Sequence, residues 1–313
     1  MFWNVFQRNP MPYEEGFLPE VDGHRIYYRE FGNRHGIPVL SFHGGPGGSS
    51  RPKYAKLFNK QQYRFIQFDQ RGCGQSVAQN AEYNNTTKYI LKDAKRLLEH
   101  LKIQQPIIVH GMSWGSTLAL LFAEKYPEIV QKIIVSSVFL AREYDIGWVN
   151  KESERFYPDL WAEMRQQING KDVYKTYHKM LKTDDTEAQH NALKYFGSYE
   201  YMLGQLAPAF AEPEEITENI IQSKRIAFRF DENKYFIKNN LIIQYAAAIQ
   251  HIPTLIVHNR FDFCCPVKQA WDLHQALPQS DLTIVPDYGH STPQLFKVVK
   301  KRIVEFLAKE DIK

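Results

Sequence analysis

A serine between two glycines, an aspartate and a histidine, met in that order along the chain, are the residues whose types and spacing could do covalent chemistry. Ser113 lies in Gly111-Met112-Ser113-Trp114-Gly115. A serine hydroxyl becomes a useful nucleophile only when a base takes its proton, and the base needs an acid to fix its tautomer and stabilise its charged form. Among eleven histidines, His290 stands out: it closes the turn-rich loop Pro286-Asp287-Tyr288-Gly289-His290, between a terminal strand and the last helix. Asp262, at the tip of His258-Asn259-Arg260-Phe261-Asp262, is the candidate acid, although an aspartate there also reads as a turn former or helix cap. Gly-x-Ser-x-Gly alone is common by chance. Its weight comes from a buried strand ahead, a helix behind, and an acid and a base following in sequence.

A second cluster, His43-Gly44-Gly45-Pro46-Gly47-Gly48, follows a strand ending at Phe42. It lacks the lysine and hydroxyl of a Walker loop and the spacing of a dinucleotide fingerprint. The better reading is an oxyanion hole, with the backbone N–H groups of Gly45 and of Trp114, the residue after the nucleophile, facing an oxygen that becomes negative. The histidines show no clustered ligand spacing such as HExxH, so neither a metal nor a cofactor is expected.

These residues need a scaffold that ends strands at loops. Residues 38–42, 64–68, 107–109, 133–135, 254–258 and 282–285 are short apolar runs that read as strands. Residues 17–21 and 25–31, joined by Asp22-Gly23, read as an antiparallel hairpin. Residues 88–101, 114–126, 267–276 and 293–308 carry helical spacing, with Ile90, Ala94, Leu97, Leu98 and Leu101 on one face of the first and Pro127 stopping the second. From about 140 to 236 strand-like runs vanish and aromatic and charged residues punctuate helix-like stretches. The division expected is a core in two parts, residues 1–139 and 237–313, interrupted by a helical cap at 140–236: an α/β architecture with a mostly parallel sheet and helices on both faces.

Bulk properties exclude several classes. The 313 residues are 43% hydrophobic and 24% charged, as in ordinary folded proteins, and the formal net charge is only +4. The 39 basic and 35 acidic residues are spread along the chain, with no block suited to nucleic acid or an anionic membrane. The first residues carry no secretion-signal pattern, and the longest clear apolar run, 118–123, is far too short to span a bilayer. Three cysteines, two of them adjacent, fit reduced thiols and a cytoplasmic protein.

From about Tyr13 to His290 the sequence resembles the proline iminopeptidases, serine peptidases of the α/β-hydrolase fold. The resemblance rests on HGGPGG at 43–48, DQRGCGQS at 69–76, GMSWGSTLAL at 111–120, NRFDFCCP at 259–266 and GHS at 289–291. It implies release of an amino-terminal proline from short peptides, with Ser113, Asp262 and His290 as triad and two cap glutamates binding the free amine. YFGSYE places one at Glu200, and FDENKYF places the other at Glu232. It further implies a proline pocket lined by Phe139 and Trp148. Ser136 stands where the family often has arginine, Val149 where it has an aromatic and Met112 where it has glycine. The first two changes bear on how strictly proline is preferred. An esterase or lactonase with the same triad, and a silent binding protein on the same scaffold, are the competing readings. Oligomeric state is not legible.

Overall fold

A computed structural model of the chain describes residues 9–169, 172–205, 216–286 and 289–309, and the side chains of residues 198, 200, 201 and 205 are outside that description. Among the described residues ten strands form in chain order: β1 (Glu14–Phe17), β2 (His24–Arg25), β3 (Tyr27–Gly32), β4 (Ile37–Phe42), β5 (Tyr63–Phe68), β6 (Val77–Ala78), β7 (Ile107–Met112), β8 (Val130–Ser136), β9 (Thr254–Asn259) and β10 (Asp281–Val285). Eight of them make one sheet in the order β1-β3-β5-β4-β7-β8-β9-β10, while β2 and β6 pair separately. The pairs β1/β3 and β3/β5 are antiparallel, and every pair from β5/β4 onward is parallel.

The helices are α1 (Thr87–His100), α2 (Trp114–Lys125), α3 (Glu143–Asn150), α4 (Pro158–Gln167), α5 (Val173–Leu181), α6 (Thr186–Ala192), α7 (Ser198–Gln205), α8 (Glu218–Glu232), α9 (Leu241–Tyr245), α10 (Lys268–Ala276) and α11 (Pro293–Leu307). Alternate strand residues face opposite sides, and both sides are covered. Leu40, Ile66, Val109 and Ile256 join one apolar cluster with Leu97 of α1, Phe122 of α2 and Leu273 of α10. Val39, Phe65, Ile108 and Leu255 join the opposite cluster with Leu295, Val299, Ile303 and Phe306 of α11. The α11 residues recur at helical spacing, which is why one face of that helix can bury itself completely. Between β8 and β9 the described residues contain helices and no strand, and Trp161, Tyr177, Phe196, Tyr199 and Phe228 build a third, aromatic cluster there.

The amino-terminal hairpin sits earlier than its sequence suggests. Asp22 and Gly23 do turn the chain, with φ of 54° and 72°, and Val21 and His24 exchange backbone hydrogen bonds. Pro19, however, has no N–H to give a ladder, and the strand ends at Phe17 instead of running from 17 to 21.

Candidate active site

Ser113 occupies a sharp turn between β7 and α2, at φ 58° and ψ −130°, a strained conformation for a side chain with a Cβ. Its N–H donates to the Ser136 carbonyl at 3.1 Å, and Ser116 N–H donates back to the Ser113 carbonyl at 2.8 Å. The flanking glycines are steric requirements. A Cβ on Gly111 would lie 2.0 Å from the Gly115 carbonyl oxygen, and one on Gly115 would lie 2.1 Å from that of Phe42. The small residues therefore let α2 press against β4 and β7 while the serine is pushed out of the strand.

His290 Nδ1 lies 2.8 Å from Asp262 Oδ2, and the other carboxylate oxygen, Oδ1, accepts the Cys265 N–H at 2.7 Å. Burial by itself would raise the Asp262 carboxyl, but His290, by charge and hydrogen bond, and the Cys265 N–H outweigh it and hold it below the ordinary carboxylate value. His258 is neutral: burial lowers its pKa. Its Nδ1 accepts the Val138 N–H at 3.0 Å, so Nε2 carries the proton and donates to the Cys265 carbonyl at 2.7 Å. The His290 loop is pinned from three sides. Its N–H donates to the Gly204 carbonyl at the end of α7, its carbonyl accepts from Ser137 Oγ at 2.8 Å, and Asn259 Nδ2 bonds the carbonyl of Gly289. Asp287 and Tyr288 of this loop are outside the described residues.

Ser113, His290, Gly44 and Gly45 line one cavity of about 250 Å³. Gly44 lies directly against the serine, since a Cβ there would be 3.4 Å from Ser113 Cβ. The loop after β4 is held by DQRGCGQS. Gln70 N–H donates to His43 Nε2 at 3.0 Å, its Nε2 donates to the His43 carbonyl at 2.9 Å, and its Oε1 accepts from Trp114 Nε1 at 3.0 Å. Asp69 accepts the backbone N–H groups of Ser50 and Gln75 at 2.7 and 2.8 Å. Arg71, buried, makes a two-pronged bond to Asp93 at 2.6 and 3.0 Å. Asp69 and Arg71 thus brace loops.

A second cavity, about 240 Å³, shares Gly45 and Gly48 with the first and extends beneath the inserted helices. From α8 it takes Ser223, Lys224, Ala227, Phe228 and Asp231, a stripe at helical spacing. Ser223 Oγ donates to the Gly47 carbonyl at 2.6 Å and Gln222 Nε2 to that of Gly72 at 2.6 Å, so α8 is fastened to both glycine loops. Glu232, one residue and about 100° further round the helix, is 46% exposed and bonds His178 Nδ1 at 2.5 Å. The carboxylate of α8 in the cavity wall is that of Asp231, which the sequence reading passed over because one residue of helical phase cannot be told from a motif. Glu200 lies on α7, and its side chain is outside the described set.

Val149 and Tyr235 also line this second cavity. Phe139 packs edge-on against Tyr235 at 4.9 Å, and Trp148 donates its Nε1–H to the Phe263 carbonyl of the acid loop at 2.8 Å. Lys234, Tyr235 and Phe236 have φ of 49°, 57° and 53°, three consecutive side-chain-bearing residues in the left-handed region. This turn swings Tyr235 onto Trp114, 5.3 Å between ring centres. Nothing in the residue pattern announces that conformation.

A strained serine between strand and helix, opposite a histidine bonded to a buried aspartate, on this sheet order defines an α/β hydrolase. The family model for the alpha/beta hydrolase fold matches residues 37–293. The sequence is 37% identical over 291 residues to the proline iminopeptidase of Arabidopsis thaliana, covering 90% of this chain and 76% of that one. It is 36% identical to the probable proline iminopeptidase of Leptolyngbya boryana, covering 90% and 89%. It is 35% identical to that of Neisseria meningitidis serogroup A, covering 89% and 91%. The chain belongs to the proline iminopeptidase family of α/β hydrolases. Among solved structures, an alpha/beta hydrolase enzyme from a Medee basin deep-sea metagenome library superposes with a TM-score of 0.62 at 20% identity, covering 95% of this chain and 99% of that one. A likeness at that identity concerns the fold alone. No helix among the described residues is long and apolar enough to cross a membrane.

Proposed function

We propose that the protein is a serine aminopeptidase that removes an amino-terminal proline, and other small residues more slowly, from short peptides. The observation that carries this is the 2.8 Å bond from His290 Nδ1 to buried Asp262, with His290 and Ser113 facing one cavity. With Nδ1 engaged, Nε2 of His290 is the nitrogen that takes the Ser113 proton. Serine Oγ then attacks the prolyl carbonyl carbon, and the oxyanion formed is stabilised by the N–H groups of Gly45 and Trp114. His290 returns the proton to the departing amine as the C–N bond breaks, leaving a prolyl ester on Ser113. Water, deprotonated by the same imidazole, cleaves that ester.

The helices at 140–236 act as a cap on the core formed by 1–139 and 237–313, and they supply the grip on the substrate's charged amine. A carboxylate about 4 Å from the ammonium attracts it by roughly 4 kcal/mol at an effective dielectric near 20, before desolvation is subtracted. Asp231 takes the part expected of Glu232 because it lines the cavity under α8, where its Oδ2 accepts from Asn150 Nδ2 at 2.7 Å, and Glu200 is the second carboxylate. Tyr235, backed by Phe139, and Trp148 beside the acid loop provide the ring-binding surface. Val149 leaves that wall with less aromatic area, which favours some activity on alanine. The reading carries a cytoplasmic setting with it, because Cys264 and Cys265, adjacent in the chain, are ill-placed to bridge each other.

The test is a panel of naphthylamides of proline, alanine and amino-blocked proline, with an acetyl ester alongside. Proline is expected fastest, alanine slower and blocked proline inert. Rapid ester cleavage with no prolyl release would replace the peptidase by an esterase.

A further inference from the structure

The catalytic cavity shares Ser49 and Arg51 with a neighbouring cleft whose positive charge the chemistry above does not use. Arg51 lines the cavity that holds Ser113 and His290, and it also lines an adjoining polar cleft of about 310 Å³ with Arg29, Ser49, Ser50, Lys53 and Asp69. Arg51 is exposed, and among the described residues neither it nor Lys53 forms an ion pair. Burial and then the nearby Arg51 depress the Lys53 ammonium below its ordinary range, so the two cations are close enough to repel. Asp69, whose oxygens accept the N–H groups of Ser50 and Gln75, sets one buried negative charge in this cleft against the three positive charges of Arg29, Arg51 and Lys53. Arg29 adds a third cation, held by the Ser50 carbonyl and hydroxyl at 3.0 and 2.9 Å.

The acyl and leaving-group sides of the serine are separable. The cavity under α8 has a carboxylate, Asp231, alongside the ammonium of Lys224, whereas the cavity with Arg51, which shares Gly45 and Gly48 with it, has no carboxylate among its described lining residues. We infer that Arg51, assisted by Lys53, binds the carboxyl terminus of the departing peptide, so that the preferred substrates are di- and tripeptides with a free α-carboxylate. This rests on the aminopeptidase reading. A cavity of about 250 Å³ admits one or two residues beyond the scissile bond, and a residue spans only about 3.5 Å when extended. Guanidinium and carboxylate then meet in the fork geometry that arginine favours. A longer peptide carries its carboxylate past Arg51 and gains nothing from it.

The experiment compares kcat/KM for Pro-Ala and for its carboxamide, Pro-Ala-NH₂, in the unaltered protein, in Arg51→Gln and in Arg51→Glu. The expected ratio of acid to amide is about tenfold or more in the unaltered protein, in keeping with a charge-assisted hydrogen bond. It falls toward one in Arg51→Gln, drops below one in Arg51→Glu, and shrinks with added salt because Arg51 is solvent-exposed. A ratio near one in the unaltered protein, or a ratio that both variants retain, overturns the inference while leaving the aminopeptidase intact. Release of no proline from either peptide overturns both.

Discussion

The indole Nε1 of Trp114 donates to Gln70 Oε1 at 3.0 Å, and through this one bond the nucleophile turn is tied to the glycine loop. Gln70 also holds His43 at both its ring and its carbonyl, so one buried amide sets the spacing between the two backbone segments proposed to hold the oxyanion. Replacing Gln70 with Met, similar in volume but without the amide, is expected to lower kcat on the order of tenfold with KM nearly unchanged. An unchanged kcat would mean that the loop holds its geometry without Gln70.

Gly115→Ala tests the packing that exposes Ser113. The added Cβ would meet the Phe42 carbonyl oxygen at 2.1 Å, and backbone on both sides leaves no flexible group to yield. Destabilisation of about 2–4 kcal/mol is expected, read as a fall of several degrees in Tm with loss of turnover. Wild-type stability in this variant would contradict the close approach of α2 and β4.

Asp231→Asn and Glu232→Gln separate two neighbours on α8. Asp231 faces the cavity, so its loss should reduce kcat/KM for prolyl naphthylamide by about tenfold or more and spare acetyl ester hydrolysis. Glu232→Gln, acting on a half-exposed bond to His178, should change kcat/KM by less than about threefold. The reverse ranking would return the amine-binding part to Glu232.

Glu124 gives the protein an alkaline weakness. Burial pushes its carboxyl up to about 8 from 4.5, and its Oε1 has no hydrogen-bond partner. Since the folded-state value is raised, the unfolded chain releases this proton first. The contribution to stability is therefore intact below about pH 4.5 and declines as pH rises toward about 8. Glu124→Gln should raise Tm by several degrees at pH 8.5 and hardly at all at pH 4.5. A gain of equal size at both pH values would show that the carboxyl's ionisation is not the cause.

Much of this architecture is written in local pattern. The short apolar strands and the periodic faces of α1, α10 and α11 follow from side-chain alternation and helical spacing, whereas α2, buried on every side from Trp114 to Ala123, was marked by Pro127 at its end, and β7 and β8 run beyond their apolar stretches to Met112 and back to Val130. The chain order of Ser113, Asp262 and His290 pointed to one site because each follows a parallel strand at its carboxyl end. What the pattern could not reveal depends on three-dimensional phase. Asp231 and Glu232 are adjacent letters, yet only one meets the cavity. Tyr235 reaches Trp114 by a run of left-handed residues that carries no glycine to announce it. Gln70 was visible within DQRGCGQS, but its three bonds span segments far apart in sequence. Arg51 gave no signal beyond its charge, since its significance lies in which cavity it borders.

The central claim is that Ser113 is the nucleophile of an aminopeptidase. Intact-mass measurement after treatment with a fluorophosphonate, followed by peptide mapping, tests it most directly. One adduct on Ser113, formed in step with loss of prolyl naphthylamide hydrolysis and abolished in both Ser113→Ala and His290→Ala, is the expected result. A folded protein that takes up no label, or that keeps releasing proline with Ser113 replaced by Ala, would contradict it.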